Sequence, residues 1–145
     1  MPIKLRYTSD GKGVVYEASG PFSGKELIDA NSEVMSRDLV ADPLLYIFVD
    51  GNGITGVNVL TSDLREIADQ DISASKRMQN RPTVAIYAHA DLPYALARMW
   101  MVFVEAAGWE TKVFRDKGEA LAWLKERVAA NFGGDIDVAI PDAIP

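Results

Sequence analysis

One histidine, His89, and no cysteine limit the chemistry open to this 145-residue chain. A disulfide framework or a thiolate metal site needs Cys, and a histidine-rich metal site needs more than one His. The polar residues placed for chemistry follow apolar runs. Asp50 closes Leu44–Val49, LLYIFV, and is followed by the glycine-rich stretch Gly51–Gly56. His89 and Asp91 follow Thr83–Ala88, TVAIYA, and Arg115 and Asp116 follow Thr111–Phe114. In α/β sheets, ligands bind beyond the carboxyl ends of the strands. Asp50, Asp91 and Asp116 there have the all-oxygen character of a magnesium site. Asp91 and Asp116 each stand where a helix needs an N-cap, so no metal or cofactor is expected. His89 has the ordinary pKa of a general base, but no nucleophile or orienting acid is spaced to serve it. No catalytic residue is assigned. Asp50, Asn52, Thr55, His89, Tyr94, Arg98 and Arg115 are the candidate ligand- or partner-binding residues, and of these Asp50 and His89 have no evident structural duty.

GNGITG at 51–56 matches G-x-G-x-x-G literally. A dinucleotide site needs the helix to begin inside the motif, with an acid ending the next strand about 20 residues on. Here the next helix starts near Ser62. The expected acid falls on Asp71, within that helix, and the next strand ends at Ala88 and His89. The stretch is therefore read as a glycine-rich loop. GPFSGK at 20–25 is one residue short of a P-loop, with Glu26 where Ser or Thr would bind magnesium. Ser19-Gly20-Pro21 lacks the acids of a phosphoreceiver domain.

With 15 basic and 21 acidic residues the net charge is −6, and the pI is near 4.7. That argues against nucleic acid, whose phosphates are neutralised by clustered Lys and Arg. The basic group Lys76, Arg77 and Arg81 suits the end of a helix. The first ten residues carry no signal-peptide core, and an apolar run such as Met99–Val104, matched in length by Leu44–Val49, falls far short of the ~18 residues that span a bilayer. No membrane span and a cytoplasmic setting are expected.

The elements that would position these residues can be read from period and caps. Ile3, Leu5 and Tyr7 alternate with Lys4 and Arg6, as in a strand with one wet face. Asp10-Gly11 turns the chain into a second strand, Gly13–Ser19. Lys4 and Arg6 suit an edge strand. Ser23 and Glu26 form a capping box, with Phe22 and Leu27 at the staple positions. Thr61 or Ser62 is expected to cap the second helix and Asp91 the third, which would end at Gly108. Asp116 would cap the fourth, with Leu121, Leu124 and Val128 inward. The order ββαβαβαβα gives an α/β fold: a mixed, mostly parallel five-stranded sheet with an N-terminal β-hairpin and four helices. One domain is expected over 1–130, with an extended tail over 131–145.

The third helix is apolar around more of its circumference than a surface helix requires. Either it is buried, or Trp100, Met101 and Val102 form a self-association surface. The tail alternates Ile136, Val138 and Ile140 with Asp137, Ala139 and Pro141. It would cover its own domain, pair with a partner's sheet edge or stay disordered.

Residues from about 13 to 128 resemble the STAS-like superfamily, named for sulfate transporters and anti-sigma-factor antagonists, and most closely its small bacterial members. The resemblance rests on GPFSGKELIDA, on LLYIFVD before the glycines, on TVAIYA, and above all on VFRDKGEALAWL at 113–124. It implies a mixed sheet with helices packed on it and a regulatory role through protein partners. Anti-sigma antagonists carry a phosphorylatable serine in Asp-Ser-Ser-Gly, where this chain has Asp50-Gly51-Asn52-Gly53, so Asn52 replaces the phosphoacceptor. The resemblance thus implies a non-catalytic STAS-like regulatory or interaction domain without the phosphoswitch, and a homodimer is expected. The alternative is a binding protein or enzyme for an apolar or phosphate-bearing small molecule, using Asp50, His89, Arg98 and Arg115 at the strand ends.

Overall fold

The computed structural model describes residues 2–138. β1 (Ile3–Tyr7) and β2 (Gly13–Ser23) form the expected hairpin. Asp10 fixes its turn by accepting from the Thr8 hydroxyl at 2.6 Å and the Lys12 N–H at 2.9 Å. Then follow α1 (Gly24–Met35), β3 (Tyr46–Asn58), α2 (Thr61–Ser75), β4 (Thr83–Tyr87), α3 (Asp91–Phe103), a 3₁₀ turn (Glu105–Ala107), β5 (Glu110–Phe114) and α4 (Lys117–Phe132). The sheet order is β1-β2-β3-β4-β5, antiparallel between β1 and β2 and parallel elsewhere. The mixed five-stranded α/β architecture read from the sequence is the one found.

Strand order decides where the helices go. From β2 to β5 each connection moves one strand along in the same direction. Connections of one hand therefore place α1, α2 and α3 on a single face. Val14, Tyr16, Ile47, Val84 and Ile86 point to that face and join Val34, Leu64, Ile67 and Trp100 in one core. α4 leaves the last strand and covers the other face. There Val15, Tyr46, Phe48 and Ala85 meet Ala120, Leu124 and Val128. The strand residues alternate between the two cores, as the period of two requires.

The chain from Gly51 to Gly56 is not a loop. β3 continues through it to Asn58, paired with β2 from Ser19 to Ser23, whereas β4 pairs with β3 only from Tyr46 to Asp50. β2 and β3 thus run on as a two-stranded parallel ribbon beyond the sheet. The glycines serve close approach: a Cβ on Gly51 would lie 2.5 Å from the Tyr87 carbonyl oxygen, and one on Gly53 2.8 Å from the Ser19 Cβ. Such contacts keep glycine in a strand interior, so a glycine-rich spacing read as a loop is in fact a pairing requirement.

Three end details also differ. Leu60, not Thr61 or Ser62, is the N-cap of α2, and its N–H is held by the Asp63 carboxylate at 2.8 Å. Ala90 is the N-cap of α3, and Asp91 is its first residue. α3 stops at Phe103, and the 3₁₀ turn carries the chain on to Gly108, which is left-handed at φ 73°. The capping box of α1 and the Asp116 cap of α4 are present as read.

Past α4, Val138 is buried in the second core. The Asp137 N–H donates to the Tyr46 hydroxyl at 2.8 Å, and Ser9 hydrogen-bonds the Asp137 carboxylate. Residues 136–138 therefore pack on their own domain. Ile140 and the rest of the tail lie outside the described residues.

Candidate functional site

Asp50 ends the part of β3 that β4 accompanies, and it is buried. Its carboxylate accepts from Lys117 Nζ at 2.9 Å and from the Asn52 N–H at 3.0 Å. It therefore does have a structural duty: it ties the first residue of α4 to the sheet and steadies the entry into the ribbon. Asp91, expected to be a cap, instead accepts from Arg115 Nη1 at 2.7 Å. The same nitrogen donates to the His89 carbonyl at 3.1 Å, and the guanidinium lies 4.2 Å from the centre of the Tyr94 ring. Asp116 is occupied by the Glu119 N–H.

The fold thus brings His89, Tyr94 and Arg115 together. Asp50 and the Asn52 backbone form a separate group with Lys117. Asn52, Thr55 and Arg98 are exposed. The His89 ring is exposed, and its Nδ1 lies 3.4 Å from the Arg115 carbonyl. Among the described residues no hydroxyl or carboxylate hydrogen-bonds that ring, and no three His, Cys, Asp or Glu residues gather as metal ligands. Each carboxylate at the strand ends is committed to a neighbouring cation or cap.

The larger feature lies beneath the helices. A cavity of about 130 Å³ separates the sheet from α1, α2 and α3. Its walls are almost wholly apolar, with Ile47, Val49, Val84 and Ile86 from the sheet and Leu27, Leu64 and Ile67 from the helices. Ile54, Val57, Val59, Pro93, Leu96 and Ala97 also line it and are half-exposed, so its open end lies between the β2–β3 ribbon and the start of α3.

The wall also carries a polar chain. The Tyr16 hydroxyl donates to Asn31 Oδ1 at 2.7 Å, and Asn31 Nδ2 donates to Asp71 Oδ1 at 2.9 Å. Trp100 Nε1 donates to Asp71 Oδ2 at 2.9 Å. One strand and all three helices of that face meet at this chain. Asp71 is only 1% exposed. Burial pushes its pKa up to about 7, against the pull of the Asn31 and Trp100 hydrogen bonds. Burial likewise pushes the Tyr16 hydroxyl well above its usual range. Trp109 lines the cavity too, and its buried indole N–H has no acceptor among the described residues. An apolar cavity with a few convergent polar groups and a perturbed carboxyl has the makeup of a small-molecule site.

α3 roofs this space. Trp100 is the only buried residue between Asp91 and Phe103, while Leu92 is 56% and Val102 66% exposed. Of the two readings of this helix, Trp100 fits the buried one and not a self-association surface: its indole N–H is spent on Asp71, inside the domain. Met101 is half-buried, and Val102 alone of the three is open.

Reading motifs missed Tyr16, Asn31 and Asp71, yet a signal was present. On α2, Leu64, Ile67, Ala68, Asp71 and Ala74 fall on one helical stripe, and on α1 Leu27, Ile28, Asn31, Val34 and Met35 do the same. A polar residue on each inward stripe, at helical spacing, marks a buried polar pair. Trp100 falls on the matching stripe of α3 with Leu96 and Ala97.

No protein-family model and no curated protein matches this chain. Among solved structures it is similar to the anti-sigma factor antagonist SpoIIAA in its unphosphorylated form, with 10% identity and a TM-score of 0.48 over 86% of this chain and 96% of that one.

Proposed function

We propose that this chain is a non-catalytic binding domain that holds a small apolar molecule between the sheet and α1–α3. The cavity carries this reading: about 130 Å³ of nearly uncharged space, with a half-exposed rim near the carboxyl ends of the strands. Comparable dry cavities of ~150 Å³ accept benzene. The strand-end polar residues speak for binding rather than catalysis, because Asp50, Asp91 and Asp116 are each engaged in ion pairs or caps. Binding is tested by thermal shift and tryptophan fluorescence with benzene and toluene. At 100 times Kd a ligand adds about 2.7 kcal/mol of stability. The variant Ala97→Phe, which fills the rim, should abolish the shift and keep the fold. An unchanged melting temperature with every apolar probe would sink the reading.

A second reading, a regulatory domain acting through a protein partner or a second copy, is favoured by Leu92 and Val102 on the outer face of α3. Sedimentation of the wild type and of Leu92→Glu/Val102→Glu tests self-association. A monomer at all concentrations would remove the second copy. The cytoplasmic setting is part of the same proposal and is tested by cell fractionation.

A further inference from the structure

Asp71 is the one acidic or basic residue in the cavity wall. Each of its oxygens accepts one hydrogen bond, and both donors, the Asn31 amide and the Trp100 indole, are neutral. A carboxylate offers about four acceptor positions, so roughly half are unfilled. No Lys or Arg of this chain pairs with it among the described residues. An ionised carboxylate buried without a cation is costly, and buried charges are as a rule paired. Asp71 is at the same time a residue of the cavity wall.

We infer that the cavity's ligand is a small apolar amine, with its ammonium group on the Asp71 carboxylate and its hydrocarbon body beneath α3. The inference rests on the reading of the cavity as a binding site. The ammonium supplies the missing positive charge and a charge-assisted hydrogen bond to an oxygen already oriented by Asn31 or Trp100. Tyr16, Trp100 and Trp109 also line the space, and aromatic faces attract an ammonium group. The size of the cavity limits the body to about one six-membered ring. A carboxylate ligand would meet like charge at the same point.

Four probes of matched shape separate the cases: toluene, benzyl alcohol, benzylamine and benzoate. They are titrated into the full chain at neutral to mildly alkaline pH, with tryptophan fluorescence and thermal shift as readouts. Benzylamine is expected to bind about tenfold more tightly than toluene, with benzoate weakest. Asp71→Asn should bind toluene as the wild type does and lose the preference for the amine. If benzylamine binds wild-type protein no better than toluene, or if Asp71→Asn keeps the preference, the amine is overturned and the apolar site stands. If no probe binds, the cavity reading falls and the amine with it. The wild-type ranking decides the matter even if the variant does not fold.

Discussion

Replacing Asp71 with asparagine should change how stability depends on pH. The carboxyl is raised from 3.8 to about 7 in the folded protein. Between those values the folded state holds a proton that the unfolded chain has released. Stability contributed by the neutral carboxyl is therefore full below about pH 3.8, falls as pH rises, and is gone above about 7. One unit corresponds to 1.36 kcal/mol, so the ionised form costs the fold about 4 kcal/mol at alkaline pH, about 3 of which develop between pH 4.5 and 8.5. Asparagine keeps the shape and cannot ionise. It turns an amide N–H₂ toward Asn31 or Trp100, a pH-independent loss of about 1–2 kcal/mol. Urea unfolding of both proteins, followed by tryptophan fluorescence at several pH values, gives the difference in stability, from which the groups common to both cancel. Wild type should equal or exceed the variant by up to about 1 kcal/mol at pH 4.5 and be the less stable by about 2–3 kcal/mol at pH 8.5. Parallel stability curves across that range would refute the assignment of Asp71 as a buried carboxyl without a cationic partner.

Leu124→Ala opens the core under α4, where Leu124 is fully buried, and should cost about 2–5 kcal/mol by chemical denaturation. Gly51→Ala sets a methyl group against the Tyr87 carbonyl and should cost about 1–3 kcal/mol, whereas an unchanged melting temperature would contradict the pairing seen there. Lys117→Met removes the cation beside buried Asp50 and should cost about 1.5–3 kcal/mol, with part recovered in the double variant Asp50→Asn/Lys117→Met. Arg115→Ala breaks a largely exposed pair with Asp91, and its effect should stay below about 1 kcal/mol.

Much of the architecture was legible because caps and periods are local. Ser23 with Glu26 announced α1, Asp116 announced α4, and the alternation at Ile3–Tyr7 announced the edge strand. The ribbon was not legible, since Gly51 and Gly53 are set by Tyr87 and Ser19, partners far away in sequence. The strand-end residues drew attention by position, but their true partners, Lys117 for Asp50 and Arg115 for Asp91, are fixed only by folding. The cavity is harder still, because empty space leaves no mark on a sequence. Its polar wall did leave one, in Asn31 and Asp71 on otherwise apolar stripes, and reading each helix by its inward face rather than by motif would have found it.

In the sheet, every strand lies beside its predecessor in the chain. No strand has to be slotted between two already in place, so the order of synthesis can be the order of assembly. The hairpin can close first, and β3, β4 and β5 can each be added at the growing edge together with the helix that precedes them. Each addition closes a loop spanning a single helix, and closure entropy rises only slowly with loop length. The cavity-bearing half, up to β4 and α3, can thus be largely assembled before α4 is made. The second face of the sheet is then left for α4 and Val138 to cover, over Tyr46 and Phe48.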